Sequence, residues 1–283
     1  MAKTVAFKQV DVFSQLPFSG NPLAVILDAD GLSGDEMAAI ARWTNLSETA
    51  FVLAPTDKHA DYRVRIFTVE GELPFAGHPT LGTAHALLEA GLVPQASNQI
   101  VQECGVGLVT IKIESQGTLA FMAPEAVLTP FDDALLGTVF DQEVLDTEQV
   151  VTIADMGIRW LLVPMKSAEA VLKFKPNVNA LERLLKHAQV NGLMPFGPHN
   201  DGDEQFEVRG LMVEHGALTE DPVTGSANAC LAQYFASRGC VEDYHVRQGT
   251  AIQRYGRVTI QYREEGIWIG GQTLTVINGT INL

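Results

Sequence analysis

The chain has 283 residues, with 19 Lys and Arg against 34 Asp and Glu, a formal net charge of −15. That length suits one large domain or two lobes of roughly 100–150 residues each. The acidic balance argues against nucleic acid as a partner, because phosphate binding needs clustered cations, and against docking on anionic lipid. No run of about 18 apolar residues occurs, so nothing reads as a membrane span. The three cysteines (Cys104, Cys230, Cys240) lack C-x-x-C spacing, which argues against a disulfide framework or a zinc site. With 46% hydrophobic residues the expectation is a cytoplasmic globular protein with a full core.

In chain order, residues 4–11 alternate apolar and polar and predict a strand, with no signal-peptide core. PLAVIL at 22–27 is a short apolar run. Residues 33–44 predict a helix: Ser33 caps it, Glu36 completes a capping box, and Met37, Ile40 and Ala41 share a face. TAFVLA follows as an apolar strand. Asp61 to Phe67 alternates, placing Tyr62, Val64 and Ile66 on one face. Further strands are predicted at 98–103, 107–113, 149–154, 160–163, 205–213, 256–262 and 274–282. A helix is predicted over 179–190, capped at Asn177 or Asn179. The acids at 141–148 and 201–207 read as solvated surface. Weak patterning over 123–147 places a lobe boundary near residue 120.

An internal repeat is the most informative feature. ELPFAGHPTLGTAHALLEAGLV (72–93) aligns without a gap to EDPVTGSANACLAQYFASRGCV (220–241) at an offset of 148, with six identities in 22 positions. GLVTI (107–111) and GRVTI (256–260) match at nearly the same offset. Two structurally related halves follow, each with one helix ending at a glycine, Gly91 or Gly239. Apart from His85, residues 79–88 carry no titratable side chain, and 227–237 carry no charge. A helix without a polar stripe is buried on all sides. A curved sheet wrapped around such a helix in each half accounts for this; a helix between two sheets is the alternative.

A buried helix offers unpaired N–H groups and a partial positive charge at its N-terminus. Gly77–His78 and Gly225–Ser226 mark two such starts, and a substrate carboxylate is expected there. Glu48 is the only charged residue between Trp43 and Thr56. Held among apolar groups, it is expected to have a raised pKa suited to general acid–base work; an exposed turn glutamate is the alternative. His78 shares the first helix start, and Asp221 lies five residues before Ser226. A structural role remains open for each: a core histidine, and a carboxylate complementing the helix dipole. GVGLVT (105–110) lacks the third glycine of a dinucleotide loop, and there is no Walker or HExxH sequence. His59, His85, His187, His199, His215 and His245 show no metal-ligand spacing.

NPLAVIL (21–27), LSETAFVL (46–53), ELPFAGHPTLG (72–82), EDPVTGSANA (220–229) and the Q-G-x4-R-x-G run from Gln248 to Gly256 resemble the PhzF-like isomerases over nearly the whole chain. The resemblance implies an α+β, diaminopimelate-epimerase-like fold: two pseudo-symmetric lobes, each a curved, mostly antiparallel sheet around a central helix, with the active site between them. It places residues 1–120 in the first lobe, joined by a returning C-terminal strand at 271–283, and 121–270 in the second. It implies a homodimer, no cofactor and no metal. It assigns proton transfer on a small anionic, amino-acid-like metabolite to Glu48. His78, Asp221 and Ser226 would orient and polarise the substrate, with Asn21, Gly77 and Gly225 as substrate contacts.

Two departures stand out. Related epimerases and proline racemases carry cysteines where this chain has Ala76 and Thr224, which excludes two-base thiolate racemisation. The segment 209–222 lacks the Phe and Pro of an R-x-F-x-P run. The reading is a cofactor-independent isomerase; a lyase or dehydratase on the same site, or a non-catalytic metabolite-binding protein, are the alternatives.

Overall fold

The structure is a computed structural model and describes residues 3–283. The described residues fall into two compact units: those up to Met122 together with Gly270–Leu283, and Ala123–Ile269.

The first unit contains β1 (Thr4–Val12), β2 (Asn21–Ile26), α1 (Gly34–Thr44), β3 (Glu48–Leu53), β4 (Tyr62–Phe67), β5 (Glu72–Leu73), α2 (Gly77–Glu89), β6 (Gln99–Cys104), β7 (Gly107–Ile113) and β8 (Leu119–Met122). The C-terminal strand Thr273–Asn282 pairs antiparallel with β1 along its full length. From there the ladder runs β1, β2, β3, β4, β6, β7, β8, with β5 on β4. Only β2–β3 and β4–β6 are parallel, and a parallel pair needs a crossover. α1 supplies the first crossover and α2 the second. α2 touches β1, β2, β3, β6, β7, β8 and the C-terminal strand. A flat sheet could not bring both ends of one ladder onto a single helix, so the sheet curls around it.

The predicted capping box of α1 is present, with Ser33 and Glu36 bonded reciprocally. Its apolar face, Met37 and Ala41, packs with Val5, Ile26, Phe51, Leu53 and Phe67 on the outside of the sheet. α2 is buried from Gly77 to Ala84 and again at Ala86 and Leu87. Gly82 lets it approach closely: a Cβ there would lie 2.6 Å from Leu23 and 2.9 Å from Val12.

The second unit repeats this plan. It contains β9 (Val127–Pro130), α3 (Leu136–Val139), β10 (Thr152–Asp155), β11 (Arg159–Pro164), α4 (Ala168–Lys173), α5 (Val178–Ala188), β12 (Gly192–Pro198), β13 (Phe206–Val208), β14 (Gly210–Glu214), β15 (Ala217–Asp221), α6 (Gly225–Ala236), β16 (Tyr244–Gln248) and β17 (Gly256–Arg263). A strand over Gly266–Gly271 leads on to the C-terminal strand. The ladder β9, β10, β11, β12, β13, β16, β17 has the same order of directions as the first, with β11–β12 and β13–β16 parallel. α5, capped by Asn177, buries Leu181, Leu184 and Leu185 against Val163, Leu193 and Leu211. α6 packs on β10, β11 and β17.

The predicted C-terminal glycines act in the same way in both halves. Leu92 N–H bonds to Leu87 O and Gly91 N–H to Leu88 O; Cys240 N–H bonds to Phe235 O and Gly239 N–H to Ala236 O. Each residue is displaced by 148 from its counterpart. Both glycines have positive φ, +95° and +79°, as this helix stop requires.

Two expectations are corrected. The single strand predicted over 205–213 is two strands broken at Arg209, whose buried guanidinium bonds to Glu220 and to the carbonyls of Val171 and Phe174. The acids of 201–207 are not all solvated. Glu207 is fully buried, and Glu204 is paired with Arg247 and Arg257.

Candidate active site

In the first unit, the loop between β1 and β2 delivers Asn21. Asp11 accepts the N–H groups of Ser19 (2.7 Å) and Gly20 (3.0 Å), which tightens that loop. A Cβ at Gly20 would sit 2.2 Å from Val12 O, so glycine is required there. Glu48 opens β3, in register with Leu23 of the parallel neighbour. His78 lies in the first turn of α2. The curled sheet brings these three together: Asn21 Nδ2 is 3.5 Å from His78 Nδ1, and His78 Nε2 is 3.4 Å from Glu48 Oε2.

Burial pushes the His78 imidazole down to about 3, so the ring is neutral at ordinary pH. Its approach to Glu48 is therefore not an ion pair. With the Asn21 amide nitrogen turned to Nδ1, that atom accepts and the ring proton sits on Nε2, 3.4 Å from Glu48 Oε2 and short of a hydrogen bond to it. The Glu48 side chain is 15% exposed. A partly exposed carboxyl beside a neutral N–H donor can accept a proton from carbon and return it.

In the second unit, Asp221 ends β15 and Ser226 lies in the first turn of α6. Thr224 Oγ1 donates to Asp221 Oδ2 at 2.8 Å. Trp160 Nε1 donates to Ser226 Oγ at 3.1 Å, which leaves the serine proton to be given elsewhere. Gly192, in register with Trp160 on β12, makes room for the indole: a Cβ there would be 2.3 Å from the ring.

The N-termini of the two central helices differ from those of α1, α4 and α5; the single-turn α3 is likewise uncapped. α1, α4 and α5 are capped by the side chains of Ser33, Ser167 and Asn177. α2 and α6 have no side-chain cap and no acid in the first turn. Their first carbonyl-bonded amides are Thr80 and Asn228. The amides of Gly77 and Gly225 thus belong to positive helix termini that no side chain of the cap neutralises.

Sequence reasoning missed three residues here. Gln248 and Thr224 hold the Asp221 loop, and Trp160 holds Ser226. Gln248 was visible only as the head of the Q-G-x4-R-x-G run. Its glycines have local reasons: Gly249 has φ +88°, and a Cβ at Gly256 would lie 2.3 Å from Val223. A tryptophan beside Arg159 in an aliphatic strand was the available signal for Trp160.

Comparisons with known proteins agree with this architecture. A phenazine biosynthesis protein of the PhzF family from Bacillus anthracis superposes with a TM-score of 0.87 at 27% identity, covering 99% of each chain. A hydroxyproline epimerase from Agrobacterium vitis, 15% identical, shares the fold with a TM-score of 0.64 over 99% of this chain and 93% of its own. The molecule is thus an α+β protein of the epimerase-like class. Its sequence is 36% identical to antisense-enhancing sequence 1 of Schizosaccharomyces pombe, over 97% of both chains. It is 33% identical to trans-2,3-dihydro-3-hydroxyanthranilate isomerase of Pseudomonas chlororaphis, over 97% of this chain and 98% of the relative. The chain belongs to the phenazine biosynthesis-like protein family, PhzC-PhzF, which it matches over residues 10–279, and it is an isomerase.

Proposed function

We propose that the isomerisation is a cofactor-independent proton shift on a small, carboxylate-bearing, cyclic amino-acid-like metabolite, with Glu48 as the general acid and base. The observation that carries this reading is the Asn21–His78–Glu48 arrangement: a buried, neutral imidazole lies between the Asn21 amide and a partly exposed carboxyl. A single group that removes a proton from one carbon and returns it to another needs a partner that does not itself titrate in the working range. His78 is such a partner.

Binding of a substrate carboxylate is assigned to an uncapped helix terminus, that at Gly77 in the first unit or that at Gly225 in the second. Either contributes ~0.3–1 kcal/mol, and up to ~2 where partly buried. Asp221 and Ser226 are assigned to orienting the substrate's polar groups. Thiolate racemisation is not available, since Ala76 and Thr224 stand where thiols would be needed. The substrate of the pseudomonad relatives, trans-2,3-dihydro-3-hydroxyanthranilate, is a compound of this class.

The test is incubation with a panel of cyclic and acyclic amino and hydroxy acids in D2O, beginning with that compound. Deuterium at carbon with conservation of the skeleton supports the reading. Loss of water or ammonia would show a lyase instead. Tight binding of a ligand that never exchanges would show a binding protein.

A further inference from the structure

We propose that Gln248 is a positioning residue for the reaction: its side-chain amide turns the Thr224 hydroxyl onto Asp221 and so holds that carboxylate as a hydrogen-bond acceptor in a fixed orientation. The proposal rests on the assignment of Asp221 to substrate orientation.

The polarity of the network follows from one backbone group. Thr224 N–H can only donate, and it donates to Gln248 Oε1 at 3.0 Å. That oxygen also receives Asn228 Nδ2 at 2.9 Å, while the same Asn228 nitrogen donates to Thr224 O. With its oxygen so placed, the amide must turn its NH2 the other way. There it donates to Thr224 Oγ1 at 2.8 Å and to Asp221 O at 3.2 Å. Thr224 Oγ1 is now an acceptor on that side, so its own proton goes to Asp221 Oδ2, 2.8 Å away. No member can be flipped without setting two donors or two acceptors against each other. Gln248, Asn228 and Thr224 are all buried. Gly210 keeps the space clear, since a Cβ there would lie 2.3 Å from Thr224 Oγ1.

The first unit shows what the device does when no carboxylate depends on it. Buried Gln102 donates to Thr80 Oγ1 at 3.0 Å, and Thr80 donates to Ala76 O at 2.9 Å. That relay ends on the helix's own N-cap carbonyl. Residues 148 before Thr224 and Asp221 are Ala76 and Leu73, so hydroxyl and carboxylate are absent together. A glutamine needed only to hold a helix start would stop where Gln102 stops. In the second unit the relay is extended by one hydroxyl to one acid.

Gln248→Glu is nearly isosteric and replaces the donating NH2 by oxygen. Thr224 then turns its proton towards the new carboxylate, and Asp221 loses it. Thr224→Val removes the hydroxyl alone, and Thr224→Ser restores it. Folding is checked by circular dichroism and thermal melting. The 13C resonance of the Asp221 carboxyl, assigned by its loss in Asp221→Asn, reads the network without any substrate. The expected result is that this resonance moves in Gln248→Glu and in Thr224→Val but not in Thr224→Ser. For the compound that exchanges deuterium above, kcat falls about 10–100-fold with KM within a few-fold, the effect of one hydrogen bond to a charged group. The double variant loses little more than either single one. An unmoved Asp221 resonance in folded variants overturns the proposal. A moved resonance with unchanged kcat also overturns the positioning role, and locates the failure in the assignment of Asp221 rather than in the network. Should Gln248→Glu not fold, the Val and Ser variants of Thr224 make the same comparison.

Discussion

Replacing Glu48 by Gln keeps the shape of the side chain and removes its titrating proton. Turnover should fall ~10²–10⁴-fold, the usual worth of a general acid–base group, while ligand affinity changes much less. Steady-state kinetics and calorimetry on Glu48→Gln check this; turnover within a few-fold of the parent would move the proton transfer to another group. Two other buried groups give the protein's stability a pH dependence of opposite sign. His78 titrates at about 3 in the fold against 6.5 when free, so the unfolded chain binds the extra proton between those values. Its contribution is complete above pH 6.5 and is lost as pH falls towards 3, at ~1.4 kcal/mol per pH unit. Glu207 behaves conversely: burial raises it from 4.5 to about 7, so the native state binds the extra proton. Its contribution is present below pH 4.5 and lost as pH rises through 7. Between pH 4.5 and 6.5 the two slopes oppose each other. Urea denaturation across this range should therefore show a steeper rise of stability with pH in Glu207→Gln, and a flatter or falling one in His78→Gln. Parallel curves for parent and variants would refute both assignments.

At the scale of elements, the matched stops of α2 and α6 predict matched costs. Nothing lies within 4 Å of a Cβ placed on Gly91 or Gly239, so alanine there meets only the left-handed backbone penalty, ~1 kcal/mol each. Thermal melts of Gly91→Ala and Gly239→Ala should shift alike, and additively in the double variant. The same two helices explain what could be read in advance. The absence of acid, lysine and arginine over 79–88 and 227–237, the terminal glycines and the shared offset were visible over 22 residues. The equivalence of the two ladders, strand for strand, was not. Backbone pairing tolerates many side-chain combinations, so strand sequences diverge while directions persist. β13 is three residues long, too short for alternation to declare which face is buried, and Glu207 in an acidic stretch was read as surface. Glu48, His78 and Asn21 could be singled out by local isolation or by family pattern. Their meeting depends on the curl of the sheet. Gln248 and Thr224, 24 residues apart, meet only because β16 runs beside the helix start.

On the scale of the whole chain, the two units differ in how their sequence is distributed. The second is one continuous stretch, whereas the first borrows its last strand from the far end. A fragment of residues 1–122 keeps β2 beside β1 but lacks the strand that pairs with β1 from Thr4 to Val12 on its other side. It is expected to give a poorly dispersed amide spectrum and to aggregate through the open strand edge. Adding a peptide of residues 270–283 should restore dispersion. A well-folded 1–122 fragment without the peptide would show the strand to be dispensable.

The returning strand also bears on how the protein is made. Translation releases β1 and β2 early, but the strand on the other side of β1 is not synthesised until more than 250 residues later. Over that interval the whole of the second unit, residues 123–269, is synthesised. The nascent first unit waits with a nine-residue edge exposed. Such a segment is where a ribosome-associated chaperone has most to protect. A pause or premature stop late in the message would strand the Glu48 half of the protein, although every codon for Glu48, His78 and Asn21 had long been read.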